Sequence, residues 1–254
     1  MADSEPLNLG ERFRSYFRID AAVSPALLND VFRIRHEVYC EDLHFEPERP
    51  DRREMDEFDA HSLQCLLRTA DESRRLVGCT RLVLANPDDP DALLPFERTC
   101  ARTLDRSIID PASLPRKRIA EVSRLAVRAA YRRRKGEERS PHALSETDFG
   151  TNDQPRFPYI PISLYLGALA LAVRHDIDML FFVTEPRLAA HFSRLGVNVL
   201  RIGDCVEHRG QRVPSMFDVH QVVESMRPSL RSLWEVVMQE INEGLTQANT
   251  QNES

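Results

Sequence analysis

Two charged residues interrupt an apolar segment in the middle of the chain, "IAEVSRLAV", residues 119–127. Apolar residues occupy both faces of its period-two pattern, which predicts a strand covered on both sides. Glu121 and Arg124 are three positions apart, so a regular strand points them to opposite faces. Because an unpaired buried charge is costly, each needs a partner or a chemical task. A buried carboxylate at such a point is suited to general base catalysis.

Each charged motif also has a purely structural interpretation. A Glu–Arg pair on a central strand is about equally often a structural ion pair. The segment "EMDEFD", residues 54–59, is on its own typical of a solvated acidic loop, and a lone His61 is typical of a structural hydrogen bonder. The histidines lack metal-ligand spacing, and the five cysteines form no C-x-x-C pair. These patterns disfavour a zinc site or a disulfide framework and favour a reducing cytoplasm.

Composition excludes some functions and one misleading interpretation. The 254 residues are enough for one large domain or two small ones, and the net charge of −6 disfavours nucleic-acid binding. The N-terminus lacks an apolar signal-peptide segment. The apolar segment "YIPISLYLGALALAV", residues 159–173, is shorter than the roughly 20 residues that a bilayer requires. It predicts a helix buried on all sides in a protein without a transmembrane segment.

The remaining patterns predict alternating strands and helices in one mixed α/β layer fold, not a doubly wound sheet. A helix over 24–40 begins with Ser24 as N-cap and Pro25 at its first position. Residues 135–157 are typical of a mobile insertion, and 246–254 of a polar tail. The predicted strands cover 12–20, 61–69, 75–84, 119–127, 179–184, 197–203 and 212–220, and further helices cover 96–104, 159–173, 186–196 and 229–245.

The order of elements resembles the GNAT acyltransferase fold, and the charged residues resemble acyl-homoserine-lactone synthases and N-acyl amino acid synthases. The amino-acid sequence most resembles those of acyltransferases associated with the PEP-CTERM/exosortase system, over residues 13–220. The similar segments are "VFRIRHEVYC", "DEFDAHS", "EVSRLAV", "YLGALALAVR" and "EPRLAAHFSRLG". The resemblance implies a mixed α/β, GNAT-like acyl-CoA N-acyltransferase fold with a central, mostly antiparallel sheet flanked by helices. It implies one domain over 11–225, with the helix and tail of 226–254 packed on it.

The resemblance also implies a site and resolves the problem of Glu121 and Arg124. In GNAT-like sheets the strand that contains them separates from the strand "MLFFV", and the thioester arm enters the gap. A bulge there lets charges three positions apart serve one site, and the acidic loop supplies counter-charges. The residues that match are catalytic Glu121, Arg124 and Arg81, and substrate-binding Arg35, Tyr39, Glu54, Asp56, Asp59, Ser123 and Leu125.

Two departures from the wider GNAT pattern bear on the donor and on the leaving group. The segment "YRRRKGEER", residues 131–139, lacks the glycine-rich cradle that would hold the pyrophosphate of coenzyme A, which favours acyl carrier protein as the donor. Arg132, Arg133, Arg134 and Lys135 are then candidates for docking that acidic protein, or form a solvated basic edge. Phe192 replaces the tyrosine that protonates the departing thiolate in many N-acetyltransferases.

Together the residues and the resemblance predict an N-acyltransferase. It moves a fatty acyl group from an acyl carrier protein or coenzyme A thioester to the amine of an amino acid or similar small molecule. Glu121 is the expected base, backbone N–H groups of its strand stabilise the oxyanion, and no metal or tightly bound cofactor is expected. The alternatives are an acyl-homoserine-lactone synthase that uses S-adenosylmethionine, a coenzyme A-dependent N-acetyltransferase, and a non-catalytic acyl-carrier-binding regulator.

Overall fold

One twisted sheet organises the part of the chain that the computed structural model describes, residues 8–132, 159–186, 192 and 197–252. The strand order is β1-β2-β3-β4-β5-β8-β6, and β7 pairs with β8. Every pairing is antiparallel except that of β4 with β5, so the predicted mixed α/β fold with a mostly antiparallel central sheet is confirmed. The strands are β1 Phe17–Ala21, β2 Ser62–Thr69, β3 Leu76–Leu84, β4 Ile119–Val127, β5 Met179–Thr184, β6 Leu200–Arg201, β7 Val206–Glu207 and β8 Gln211–Asp218.

Helices cover both faces of the sheet. On one face α1, α4 and α6 enclose the main apolar core, and on the other α2 and α3 cover smaller clusters. The long C-terminal helix α6 packs on α1, α4 and β1. The helices are α1 Leu9–Tyr16, α2 Pro25–Arg35, α3 Pro95–Thr99, α4 Tyr159–Arg174, α5 Val219–Glu224 and α6 Pro228–Asn252.

The N-terminal segment differs from the strand predicted over 12–20. The chain is helical from Leu9 to Tyr16 and becomes a strand only at Phe17. Asn8 and Glu11 form a reciprocal capping box, in which each side chain accepts a hydrogen bond from the other residue's backbone N–H. Phe13 is fully buried. The cap and the packing of this helix on α6 outweigh the apparent alternation of the segment.

The second helix begins as predicted and ends differently. The Ser24 hydroxyl accepts the N–H of Leu27 at 3.3 Å, which confirms the N-cap. The α-helix ends at Arg35, and the chain continues as a wider π-helical segment, His36–Asp42, where one continuous α-helix is predicted. Such segments are rare and are frequent at functional sites.

The apolar helix α4 is buried almost all round, as predicted. It packs closely on the sheet, because a Cβ at Gly167 would lie 2.6 Å from the Ile19 side chain. No helix among the described residues is both long and apolar enough to cross a membrane.

The C-terminal part differs from prediction in its boundaries. The insertion predicted at 135–157 and nearly all of the helix predicted at 186–196 lie outside the described residues. Only Leu200–Arg201 of the strand predicted at 197–203 is paired as a strand. The last helix runs on to Asn252, through most of the predicted polar tail.

Candidate active site

A bulge in β4 brings its charged residues to one face of the sheet. The pairing of β3 with β4 shifts between Cys79 and Arg81, where β4 carries one extra residue. Arg124 has a φ of +51°, a left-handed conformation that is uncommon outside glycine. The extra residue cancels the alternation, so Glu121, Ser123 and Arg124 line the same cavity. The predicted bulge is therefore confirmed.

Next to the bulge, β4 separates from β5. Their parallel pairing extends only from Ile119 to Glu121 on β4 and from Met179 to Phe181 on β5. Strand β5 continues to Thr184 with β8 alone as its partner. Among the described residues, no strand pairs with this edge of β4 beyond Glu121, so its backbone groups are available to a ligand.

A cavity of about 400 Å³ occupies this gap. One wall is charged, and a branch between α4, β8, α5 and α6 is apolar. The charged wall contains Asp56, Glu57, Arg81, Arg98, Glu121 and Arg124, and the apolar branch contains Val122, Ile162, Leu166, Leu169, Phe182, Phe217, Val222, Met226 and Leu230. Such a shape fits a molecule with a polar reacting end and a long hydrocarbon chain.

Three arginines and three carboxylates, half of them in the charged wall, form a closed ring in which the charges alternate. Arg35 starts it: its Nε lies 2.6 Å from Glu54 Oε2, and its Nη1 lies 2.6 Å from Asp59 Oδ1. Arg35 is fully buried, so these two carboxylates replace its hydration. The six members are Arg35, Arg81, Arg124, Glu54, Asp56 and Asp59.

The other two arginines complete the ring. Arg81 Nη1 contacts Asp56 at 2.6 Å and Asp59 at 3.1 Å. Arg124 Nη2 contacts Asp56 at 3.0 Å and Glu54 at 3.2 Å. Burial alone would raise the pKa of Asp59, but the hydrogen bonds and charges of the arginines lower it to about 2. The same opposition lowers the pKa of Glu54.

Only half of this ring reaches the cavity. Asp56, Arg81 and Arg124 line it. Arg35, Glu54 and Asp59, predicted to bind substrate, are not among its lining residues and form the layer behind it. Their geometry suits positioning of the cavity-lining charges more than contact with a ligand.

Glu121 stands outside the ring, which departs from the prediction of a paired charge. It has no ion-pair partner among the described residues, and its Oε2 accepts the backbone N–H of Phe96 at 2.6 Å. Burial raises the pKa of Glu121 to about 8, although this hydrogen bond and the charges of Arg81 and Arg124 oppose the rise. A carboxyl with such a pKa can exchange a proton near neutral pH.

Three further predicted residues hold the bulge in place. The Tyr39 hydroxyl donates to the backbone carbonyl of Leu125 at 2.9 Å, and the guanidinium of Arg124 lies 5.6 Å from the centre of the Tyr39 ring. Arg81 Nε donates to the Ser123 hydroxyl at 3.1 Å. Tyr39 reaches this position from the π-helical segment, which connects that segment to the site.

The predicted docking residues are only partly described. The side chain of Arg132 is 7% exposed and pairs with Asp42, so the expectation of a freely exposed basic residue is wrong there. Arg133, Arg134 and Lys135 lie outside the described residues. Phe192 is buried and meets the ring of Tyr165 edge-on at 4.7 Å, so it packs the wall beside the apolar branch.

The sequence gives no signal for several residues at the cavity. Phe96 contributes through its backbone N–H, which no residue pattern reveals. The turn after β7 brings Arg209 to Glu46, which also lies 3.6 Å from Arg124. The two contacts of Glu46 join it to segments 78 and 163 positions further along the chain, and only the folded sheet brings these segments together.

Comparison with known proteins shows which other proteins share this fold. Residues 34–140 match the family model described as an acetyltransferase (GNAT) domain. No curated protein matches the chain. The acyl-homoserine lactone (AHL) synthase LasI superposes with a TM-score of 0.55 at 17% identity, covering 87% of this chain and 96% of LasI.

Two other solved structures have similar scores. MesI, described as a CoA-dependent acyl-homoserine lactone synthase, has a TM-score of 0.55 at 20% identity, covering 85% of this chain and 95% of its own. FeeM, an N-acyl amino acid synthase from uncultured soil microbes, has a TM-score of 0.53 at 16% identity, covering 85% and 97%. At these identities the likeness defines the fold, which is GNAT-like.

Proposed function

We propose that this protein is an N-acyltransferase that moves a fatty acyl group from a thioester to the amine of an amino acid or similar small molecule. The observation that carries the proposal is the single cavity at the split between β4 and β5. It joins a charged wall to an apolar branch lined by residues from α4, β8, α5 and α6, and Glu121 lies at the junction. An acetyl group is too short to fill such a branch, so transfer of a longer acyl chain is favoured over transfer of an acetyl group.

The chemistry follows from the groups at the junction. The thioester carbonyl lies at the open edge of β4, where backbone N–H groups stabilise the oxyanion as the amine attacks. Glu121 accepts the proton that the ammonium must lose. With a pKa of about 8, part of this carboxyl is ionised near neutral pH, and the ionised form is basic enough to take the proton. The carbon–sulfur bond then breaks, and the departing thiolate takes up the proton that the attacking nitrogen loses as the amide forms; a thiol pKa of about 8.5 makes it an adequate leaving group.

The charged wall supplies the means to orient the acceptor. The side chain of Asp56 is 21% exposed and that of Arg124 is 16% exposed. Both can therefore still bind a ligand in the cavity while the ring fixes their positions. Asp56 is suited to an ammonium and Arg124 to a carboxylate. Arg81 is almost completely buried and acts by fixing Asp56 and Ser123.

The donor is acyl carrier protein or coenzyme A. The missing glycine cradle favours the carrier protein, with Arg133, Arg134 and Lys135 as its remaining docking candidates. MesI, which is similar in fold, is described as CoA-dependent, so both donors belong in the assay. Association with the PEP-CTERM/exosortase system stays a prediction from the amino-acid sequences of the motifs.

The test is product analysis with both donors. The purified protein is incubated with long-chain acyl carrier protein or acyl-CoA and a mixture of amino acids, and mass spectrometry searches for N-acyl products. Glu121→Gln, which keeps the size of the side chain, is the matched control and is expected to lose at least about 100-fold in kcat. If the native protein transfers no acyl group from either donor, the proposal is wrong and the acyl-carrier-binding regulator takes its place.

An AHL synthase that uses S-adenosylmethionine is the second candidate, favoured by the likeness to LasI and MesI. The two functions share the acyl donor and differ in the amine. Adding S-adenosylmethionine to the same assay separates them, because only a synthase of this kind releases an acyl-homoserine lactone.

A further inference from the structure

The short helix α3 contacts Glu121 through a backbone N–H group and contacts the neighbouring Phe181 through a side chain. The N–H of Phe96 donates to Glu121 Oε2 at 2.6 Å. The Phe96 ring stacks on Phe181, with centroids 4.5 Å apart and planes 5° apart. Phe181 is the direct neighbour of Glu121 across β4 and β5. The position of α3 therefore fixes the position of the Glu121 carboxyl.

A buried ion pair holds this helix on the sheet. Arg116 donates to both oxygens of Glu97, at 2.7 and 3.2 Å, and to the carbonyl of Ala92 at 2.8 Å. Glu97 also accepts the N–H of Leu94 at 2.8 Å, at the start of α3. The side chain of Glu97 is 3% exposed, so water does little to screen its charge. Arg116 lies three positions before β4 and thus ties α3 to the strand that carries Glu121.

We propose that the Glu97–Arg116 ion pair positions Glu121 and sets the charge balance under which it titrates. The pair keeps the Phe96 N–H in place, and Arg116 neutralises a second buried carboxylate that would oppose ionisation of Glu121. Both are positioning residues, since neither lines the cavity. This inference rests on the proposed function.

Few other charged groups surround Glu121 in the part of the chain that the structure describes. Arg81 on β3 and Arg124 on β4 favour its ionised form, and Glu97 on α3 opposes it. The Cys100 thiol after α3 is nearby and neutral, because burial raises its pKa to about 11. Strand β5 contributes only the apolar Phe181. Substitutions at Glu97 and Arg116 therefore change the charge near Glu121 while the other neighbouring charges stay the same.

The test uses the acid limb of the pH profile of kcat/KM, which reports the base of the free enzyme. Arg116→Met leaves Glu97 charged and should shift this limb to higher pH by about one unit. Glu97→Gln keeps the hydrogen bond from Leu94 but leaves Arg116 positive, and should shift the limb to lower pH. The double variant should return the limb close to its original position. A purely structural pair lowers the rate in both single variants without opposite shifts.

Arg118→Met is the matched control. Arg118 belongs to the same turn, Arg116–Arg118, and forms a two-pronged pair with Asp178, away from α3. It should leave the acid limb where it is. If the control shifts the limb as much as Arg116→Met, or if neither single variant of the pair moves it, the inference is wrong.

A second measurement is independent of activity. The carboxyl carbon of Glu121 is titrated by NMR in protein labelled with ¹³C-glutamate, and its signal is assigned by its loss in Glu121→Gln. The same opposite shifts should appear in the free protein. If the native protein transfers no acyl group, the proposed function fails, while this titration still decides whether the pair controls Glu121.

Discussion

The charged residues at this site are of two kinds: those that are paired in the ring, and Glu121, which is outside it. In the ring, each arginine contacts two carboxylates and each carboxylate contacts two arginines, so removing one member leaves two buried charges short of a partner. Glu121 lies outside the ring, and from the described residues it receives only a backbone N–H. The ring therefore stabilises a fixed pattern of charge, while Glu121 is left able to change its charge.

Removing the most buried member of the ring should be strongly destabilising. Arg35→Met keeps the aliphatic stem but strands Glu54 and Asp59, so we expect a loss of about 3–5 kcal/mol in the free energy of unfolding. Arg52→Met is the control, because Arg52 pairs with Glu41 on the surface and should cost about 0–1 kcal/mol. Urea unfolding measures both. A loss below 1 kcal/mol for Arg35→Met would mean that the ring adds little.

The raised pKa of Glu121 predicts how stability depends on pH. An unfolded glutamate ionises near 4.5, whereas Glu121 in the folded protein holds its proton up to about 8. Between these values the folded state binds more protons, so this residue's contribution to stability falls as pH rises, by up to about 1.4 kcal/mol per unit. Glu121→Gln should abolish that part of the slope. Urea unfolding of both proteins from pH 5 to 8 tests this, and parallel curves would contradict the raised pKa.

The sequence identifies the types of these residues but not their pairing. Resemblance places Arg35, Glu54 and Asp59 with the substrate, whereas the structure places them one layer behind the cavity. Arg132 fits a basic patch by its neighbours in sequence, yet it pairs with Asp42 from the π-helical segment. Partners so far apart in the chain are set by tertiary packing, which local patterns do not encode.

At the scale of elements, the bulge depends on close approach of β3 to β4. Gly78 lies beside the register shift, and a Cβ there would be 2.6 Å from the backbone carbonyl oxygen of Ala126. Strands with clear alternation or apolar runs were predictable, because one or both of their faces are buried. The bulge itself follows only from the resemblance, and α1 and the π-helical segment depend on capping and packing.

Substitution of Gly78 should therefore disturb the site as well as the fold. We expect Gly78→Ala to cost about 1–3 kcal/mol, because the obstacle is backbone and cannot move aside. Gly244→Ala is the control: in helix α6 its Cβ would meet atoms no closer than 3.4 Å, so helix propensity should make it neutral or stabilising by up to about 1 kcal/mol. Thermal unfolding compares the two. Equal effects would mean that the strands separate easily at Gly78.

At the scale of the molecule, the cavity crosses the sheet from one helical layer to the other. Its charged wall lies on the side of α3, and its apolar branch extends between α4 and the C-terminal elements. Val222 in α5, Met226 between α5 and α6, and Leu230 in α6 line this branch. The C-terminal helices, which lie far from the charged motifs in sequence, thus contribute to the shape of the acyl site.

This arrangement predicts that the C-terminal elements select the length of the acyl chain. Met226→Ala enlarges the branch and should shift products toward longer chains, whereas Val222→Phe should shift them toward shorter ones. Each methylene group gained or lost in an apolar branch is worth about 0.8 kcal/mol, roughly fourfold in kcat/KM. Competition between acyl donors of different length, with product ratios from mass spectrometry, measures the shift. Met238→Ala is the control, because Met238 packs against the same core without lining the cavity, and its product ratios should match those of the native protein. If Met226→Ala changes the total rate but leaves the ratios equal to those of the control, the chain does not reach α5 and α6, and its length is limited nearer the sheet.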